Sequence, residues 1–170
     1  MGKPQCDFPI ENTHWTLKPI IYQLLPRTFA NYNETRRHAG TLQENGSGTM
    51  NAITSRALRA IRDLGATHVW YTGVIRHATA QYNTPEIVKG KAGSPYAITD
   101  YYDIDPDICE DKRRRMQEFL ELVERSHQAK LDVIIDFVPN HVAREYHSVC
   151  KPKGVEDLGE KDNPAWAFSP

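Results

Sequence analysis

The sequence predicts an α/β protein built on a parallel sheet, and three observations carry that prediction. Three short apolar runs, at residues 20–25, 68–72 and 132–138, have the length and branched-chain content of buried strands. Two longer segments between them repeat apolar residues at helical spacing. The order strand, helix, strand, helix, strand then implies crossover connections and parallel neighbours in one sheet.

Each element can be justified in turn. Residues 1–19 contain Pro4, Pro9 and Pro19, show no periodicity and are predicted to be irregular. The run IIYQLL at 20–25 is closed by Pro26, which cannot donate to a central ladder. A polar loop punctuated by glycine covers 31–48. From Asn51 onward Ile53, Ala57, Leu58, Ile61 and Leu64 recur at helical spacing, and Gly65 supplies a stop. HVWYT at 68–72 is the second strand. The stretch containing Gly90, Gly93 and Pro95 is too long for a simple connector. A second helix is predicted over 112–129, burying Met116, Phe119, Leu120 and Val123, and DVIIDFV at 132–138 is the third strand, read as fully buried. Residues 152–170, rich in Pro, Gly and charge, open another excursion.

At 170 residues the chain suits one domain with a proper core, and 39% apolar with 25% charged residues is ordinary for a globular protein. Lys and Arg number 21 against 22 Asp and Glu, so no general attraction to nucleic acid or to an anionic membrane is expected. The basic cluster at 112–115 reads as the solvated start of a helix. Cys6, Cys109 and Cys150 are scattered and odd in number, which argues for reduced structural thiols. No run reaches membrane-spanning length. No basic stretch followed by an apolar run opens the chain, which favours the cytoplasm.

Chemistry in parallel α/β architectures gathers at the C-terminal ends of the strands. Asp136 stands there on the third strand, with Asn140 and His141 on the loop beyond. A carboxylate on so apolar a strand needs a partner such as an arginine or a substrate hydroxyl. On these residues alone, Asp136 either serves such a partner or only ties down its own loop. Other patterns fail. Gly46–Ser47–Gly48 lacks the third Gly and the Lys-Ser/Thr of a phosphate loop. His141, Glu145 and His147 do not match H-E-x-x-H, and no G-x-S-x-G is present.

A second constellation, SPYAITDYYDIDP at 94–106, contains Tyr96, Asp100, Tyr101 and Tyr102. Taken with Asp136-x-x-x-Asn140-His141, with IYQLLPRTF near the start and with LRAIRDLGATHVWYTGV, it resembles the α-amylase family of glycoside hydrolases across residues 20–147. The resemblance implies the first three βα units of a (β/α)8 TIM barrel over 20–150, with 151–170 starting the insertion after strand three. It implies that Tyr96 stacks on the sugar beside the bond cleaved and that His141 hydrogen-bonds that sugar. Asp136 resembles the carboxylate that holds an arginine beside the nucleophile, so both Asp136 and His141 have supporting roles. Asn140 resembles a ligand of a structural calcium, and Asp100 an acid that only bonds backbone. Three positions bordering the cleft depart from the family: Pro95 where Gly is usual, Ala97 where an acidic or aromatic residue is common, and Gly73 where Pro is usual.

The family's retaining mechanism uses two carboxylates about 5–5.5 Å apart, drawn from strands four and five, with a third acid from strand seven. A (β/α)8 barrel needs about 250 residues, and three strands of it are legible here. The expectation is therefore the N-terminal part of a retaining glycosidase acting on α-glucosidic bonds of starch-like glucans or oligosaccharides. Its partners would be that substrate and the rest of the barrel, which would pair with an otherwise open sheet edge. By itself this chain would lack nucleophile and general acid. The alternative is a non-catalytic relative that binds carbohydrate or a protein partner.

Overall fold

The computed structural model describes residues 18–158; Cys6 and the end of the predicted insertion lie outside that range. In chain order the elements are β1 (Ile21–Leu24), α1 (Leu42–Asn45), α2 (Ser55–Asp63), β2 (His68–Tyr71), β3 (Ile75–His77), β4 (Ile98–Ile104), α3 (Arg115–Gln128) and β5 (Asp132–Ile135). The three runs read as strands pair in parallel in the order β1-β2-β5. Their register places Gln23, Trp70 and Ile134 side by side, then Leu24, Tyr71 and Ile135. This is the predicted α/β arrangement, three strands of a barrel wall.

Local chemistry sets the element ends. The Thr54 hydroxyl accepts from Ala57 N and starts α2, while Gly65, at φ +95°, follows its end in the left-handed region. The predicted helix from Asn51 is in fact a 3-10 turn at Met50–Ala52 followed by α2. Ile53 is buried between them, and Leu64 is exposed rather than on the buried stripe. In the loop read as irregular, Thr41 and Glu44 form a capping box that opens the single turn α1.

The core lies between β2 and the helices, around Met50, Ile53, Leu58, Val69, Tyr71 and Leu122. The Tyr71 hydroxyl lies 2.7 Å from Ser126 Oγ, which in turn donates to Leu122 O. Burial pushes the Tyr71 phenol up to about 12. Here the structure corrects the stripe expected on α3. The buried row is Glu118, Leu122 and Ser126, four residues apart, whereas Met116 and Leu120 are exposed and Phe119 and Val123 half-buried. Glu118 can be buried because its carboxylate accepts from Glu110 N and Asp111 N, at 3.0 and 2.8 Å.

A second correction concerns the outer strands, which were read as buried. Only β2 is sheltered throughout; Ile21 is 49% and Ile135 41% exposed. Each outer strand has a neighbour on one side only, so its free edge and side chains lie open, as expected of an incomplete barrel.

The long stretch after β2 holds an unforeseen feature, a two-stranded antiparallel sheet of β3 and β4. Four acids in and after β4 are buried, and each has a partner. Asp103 accepts from Arg76 and Arg115 at 3.0 and 2.9 Å. Burial alone would raise its pKa, but Arg115, the Ile104 N–H and Arg76 outweigh this and hold the carboxyl below its ordinary value. Asp105 meets His77 Nδ1 at 2.9 Å, and Asp107 meets Lys112 Nζ at 3.5 Å. The basic cluster is thus partly spent on these acids.

Cys109 is buried and Cys150 exposed, and both are free thiols. Burial, with Glu118 and Asp105 nearby, pushes the Cys109 thiol up to about 12. Iodoacetamide at pH 8 is therefore expected to label Cys150 and spare Cys109 in the native protein, and to label both after denaturation. Peptide mass mapping checks this; equal native labelling would contradict the burial of Cys109.

Candidate functional site

Parallel pairing brings the C-terminal ends of β2 and β5 together, and the site is built there. One residue beyond β5, the half-buried Asp136 turns its carboxylate toward the exit of β2. Trp70 Nε1 donates to Oδ1 at 2.7 Å and Gly73 N donates to Oδ2 at 3.1 Å. Asp136 therefore grips the neighbouring strand's exit, not its own loop. A carboxylate has about four acceptor sites, so both oxygens keep capacity for a further donor such as a guanidinium or a hydroxyl.

Gly73 is buried with φ +72°, and a Cβ placed on it would lie 2.9 Å from Pro95 Cβ. Pro95 leads directly to Tyr96, which is 44% exposed on a turn closed by Ala97 N donating to Ser94 O at 3.0 Å. Asp136 and the Tyr96 segment thus meet through Gly73.

Asn140 and His141 sit elsewhere. Both are exposed, with Asn140 Nδ2 3.3 Å from His141 Nδ1. Their loop is pinned by the Tyr101 hydroxyl, which donates to Val138 O and approaches His141 O at 3.4 Å. Burial raises the pKa of that phenol, keeping it a donor. The two residues line a cleft of about 800 Å³ with Tyr101, Phe137, Tyr146 and Val155, and neither Tyr96 nor Asp136 reaches its wall. The structure thus joins Asp136 to Tyr96 but leaves His141 on an adjoining cleft.

Asp100 behaves as a structural acid. Fully buried, it accepts from Tyr102 N and Val149 N, both at 2.8 Å. Glu145 and His147 are likewise engaged, Glu145 with Asn83 and Thr84 and His147 with Asp157. Among the described residues no group of three or more His, Cys, Asp or Glu is placed to hold a metal. Calcium takes six to eight oxygens, and the single neutral oxygen of Asn140 does not make such a site; the described residues do not fit calcium by themselves.

Trp70 and Tyr101 were not singled out in the sequence as site residues, and Gly73 was marked only as bordering the cleft, with no part in holding Asp136. For Tyr101 a signal existed, since it follows Asp100 in the second motif. For the other two, the role follows from the register of β2 on β5.

A parallel wall of barrel strands with polar groups gathered at the strands' C-terminal ends defines a (β/α)8 barrel protein in part. The profile of the α-amylase catalytic domain matches residues 23–168, and the chain belongs to that family. It is 28% identical to maltase 1 of Drosophila virilis over 92% of this chain and 20% of that protein. It is 30% identical to trehalose-6-phosphate hydrolase of Bacillus subtilis over 80% of this chain and 19% of that one. Among solved structures, an α-amylase from Lactobacillus plantarum superposes with a TM-score of 0.54 and 27% identity, over 77% of this chain and 24% of that chain. The chain spans about a fifth of the length of the curated relatives it matches.

Proposed function

We propose that this chain is the N-terminal part of a retaining glycoside hydrolase acting on α-glucosidic bonds of oligosaccharides or starch-like glucans. The observation that carries the reading is Asp136, held by two donors at the C-terminal end of β5 in a chain of the α-amylase family. Each residue then has a task. Tyr96 offers an exposed ring face to the apolar face of a glucose. Asp136 uses its free acceptor capacity to orient an arginine from a later strand, which in turn sets the nucleophile. His141 bonds a sugar hydroxyl once the following strands bring the cleft rim inward. In the family the nucleophile and general acid come from the fourth and fifth barrel strands, which would follow β5 (the third barrel strand here), so residues 1–170 alone are expected to hydrolyse nothing.

The test is the full-length gene product assayed on maltose and maltooligosaccharides, with the product anomer read by proton NMR. Release of α-glucose with retention is expected, together with no release by residues 1–170 alone. A full-length protein that binds these sugars without cleaving them would be a binding relative instead. Cleavage by the 170-residue chain would place both acids within it and overturn the division of labour.

A further inference from the structure

We infer that Gly73 is a positioning residue for the proposed glycosidase site, acting with Pro95 as one unit that sets Asp136 and Tyr96 relative to each other. The inference builds on the functional reading above and adds residues to which that reading gives no part.

Gly73 makes two contacts that a side chain would forbid. Its N–H points at Asp136 Oδ2, 3.1 Å away, from a backbone at φ +72°, a conformation that costs glycine nothing and strains other residues. Its Cα hydrogen faces Pro95, where a Cβ would come within 2.9 Å of Pro95 Cβ and 3.3 Å of Leu25 Cδ1. Together with Trp70 Nε1 on Oδ1, the Gly73 N–H gives Asp136 one donor per oxygen, both from the exit of β2. Two points of attachment fix the carboxylate plane as well as its place. On the other side, Pro95 has a locked φ and carries Tyr96 as its next residue. The Pro95 ring seated on Gly73 therefore locates the turn that presents the Tyr96 ring.

Two of the departures from the α-amylase pattern are in contact. The resemblance implies proline at 73 and glycine at 95; this chain has Gly73 packed against Pro95. A proline at 73 would have no N–H for Asp136 and could not reach a positive φ. With glycine at 73 and proline at 95, the rigid ring lies on the segment bearing Tyr96 and residue 73 keeps a backbone donor for the carboxylate.

The experiment is a double-mutant cycle in the full-length protein, with kcat and KM on maltose measured for Gly73→Ala, Pro95→Gly and the pair. Gly73→Ala forces its methyl into Pro95 and shifts the donor to Asp136. A displacement of a few tenths of an ångström is expected to lower kcat on the order of tenfold, against about 10²-fold for a full ångström. Pro95→Gly loosens the Tyr96 turn and is expected to act mainly on KM, raising it about threefold to tenfold, as lost ground-state binding does. In the pair the Pro95 clash is gone, but the φ of +72° and the Leu25 contact still strain an alanine, so kcat is expected to recover part of the loss seen in Gly73→Ala while KM stays high. That rescue is the signature of a coupled unit. If Gly73→Ala does not fold and the pair does, rescue is read as recovered folding, with kcat taken from the pair. In an active wild type, losses that simply multiply, or a Gly73→Ala protein with unaltered kcat, would overturn the coupling and leave the glycosidase reading intact. A wild type inert on every α-glucoside tried would overturn both.

Discussion

Asp136→Ala in the full-length protein is expected to lower kcat/KM on maltose-type substrates by about 10²-fold or more, the scale of a misplaced reacting group, with a modest fall in melting temperature as the Trp70 and Gly73 donors lose their acceptor. The half-buried carboxylate accepts from Trp70 Nε1 and Gly73 N and has acceptor sites left over. In the proposed mechanism those sites hold an arginine, and through it the nucleophile. Asp136→Asn is expected to be nearly as damaging despite its matching shape. The existing partners are both N–H groups, one on each oxygen. Whichever way an amide is turned, its NH2 meets one of them donor to donor, and the charge that would attract a guanidinium is gone. Steady-state kinetics alongside thermal melting separate the two roles considered for this residue. A near-native kcat/KM with a lowered melting temperature would reduce Asp136 to a tie between strand ends.

What the sequence revealed and what it hid divide along a physical line. The runs that became β1, β2 and β5 were legible because apolar, branched residues in short blocks have few other uses. How much of each strand is buried was not legible, because Ile21 and Ile135 depend on a neighbour that residues 18–158 do not supply. The strand β4 stayed hidden for the opposite reason. Its acids discourage a strand assignment, and the groups that satisfy them lie far along the chain: Asp100 meets Val149, and Asp103 meets Arg76. The helix α3 was found but turned on its axis, since Glu118 and Ser126 face inward where a hydrophobic rule puts Met116 and Leu120. At the site, Asp136 was legible from its place at a strand end. The Trp70 and Gly73 donors were not, because they follow from pairing Trp70 with Ile134 across β2 and β5.

The second large effect is expected at Asp100, and it should invert the pattern at Asp136. Asp100 is fully buried, and each carboxylate oxygen accepts a backbone N–H, one from Tyr102 beside it in β4 and one from Val149 well beyond β5. The segment reaching Val149 is also held to β4 by Ala143 N on Ile98 O, His147 N on Thr99 O and the Tyr146 hydroxyl, which accepts from Tyr101 N. Asp100→Ala removes the acceptor and leaves two N–H groups to find others. At about 1–3 kcal/mol for each polar group left unsatisfied, the two together cost about 2–6 kcal/mol, and the exposed Tyr102 and Val149 put the loss in the lower half of that range, near about 3 kcal/mol. Asp100→Asn keeps one oxygen and should lose less. Because Val149 is the far end of the tie, the loss should appear first as local opening of residues 143–158. Limited proteolysis of the full-length variant should then cut there faster by about two orders of magnitude, which is what about 3 kcal/mol gives at tenfold per 1.4 kcal/mol. Below its melting point the variant should keep a near-native kcat, since the buried Asp100 does not line the cleft, while any rise in KM should track opening of the Tyr146 and Val155 wall. Native-like resistance of that segment in Asp100→Ala would mean that the Ala143, Tyr146 and His147 bonds hold it without Asp100. A kinetic loss without destabilisation would move Asp100 from the scaffold into the site.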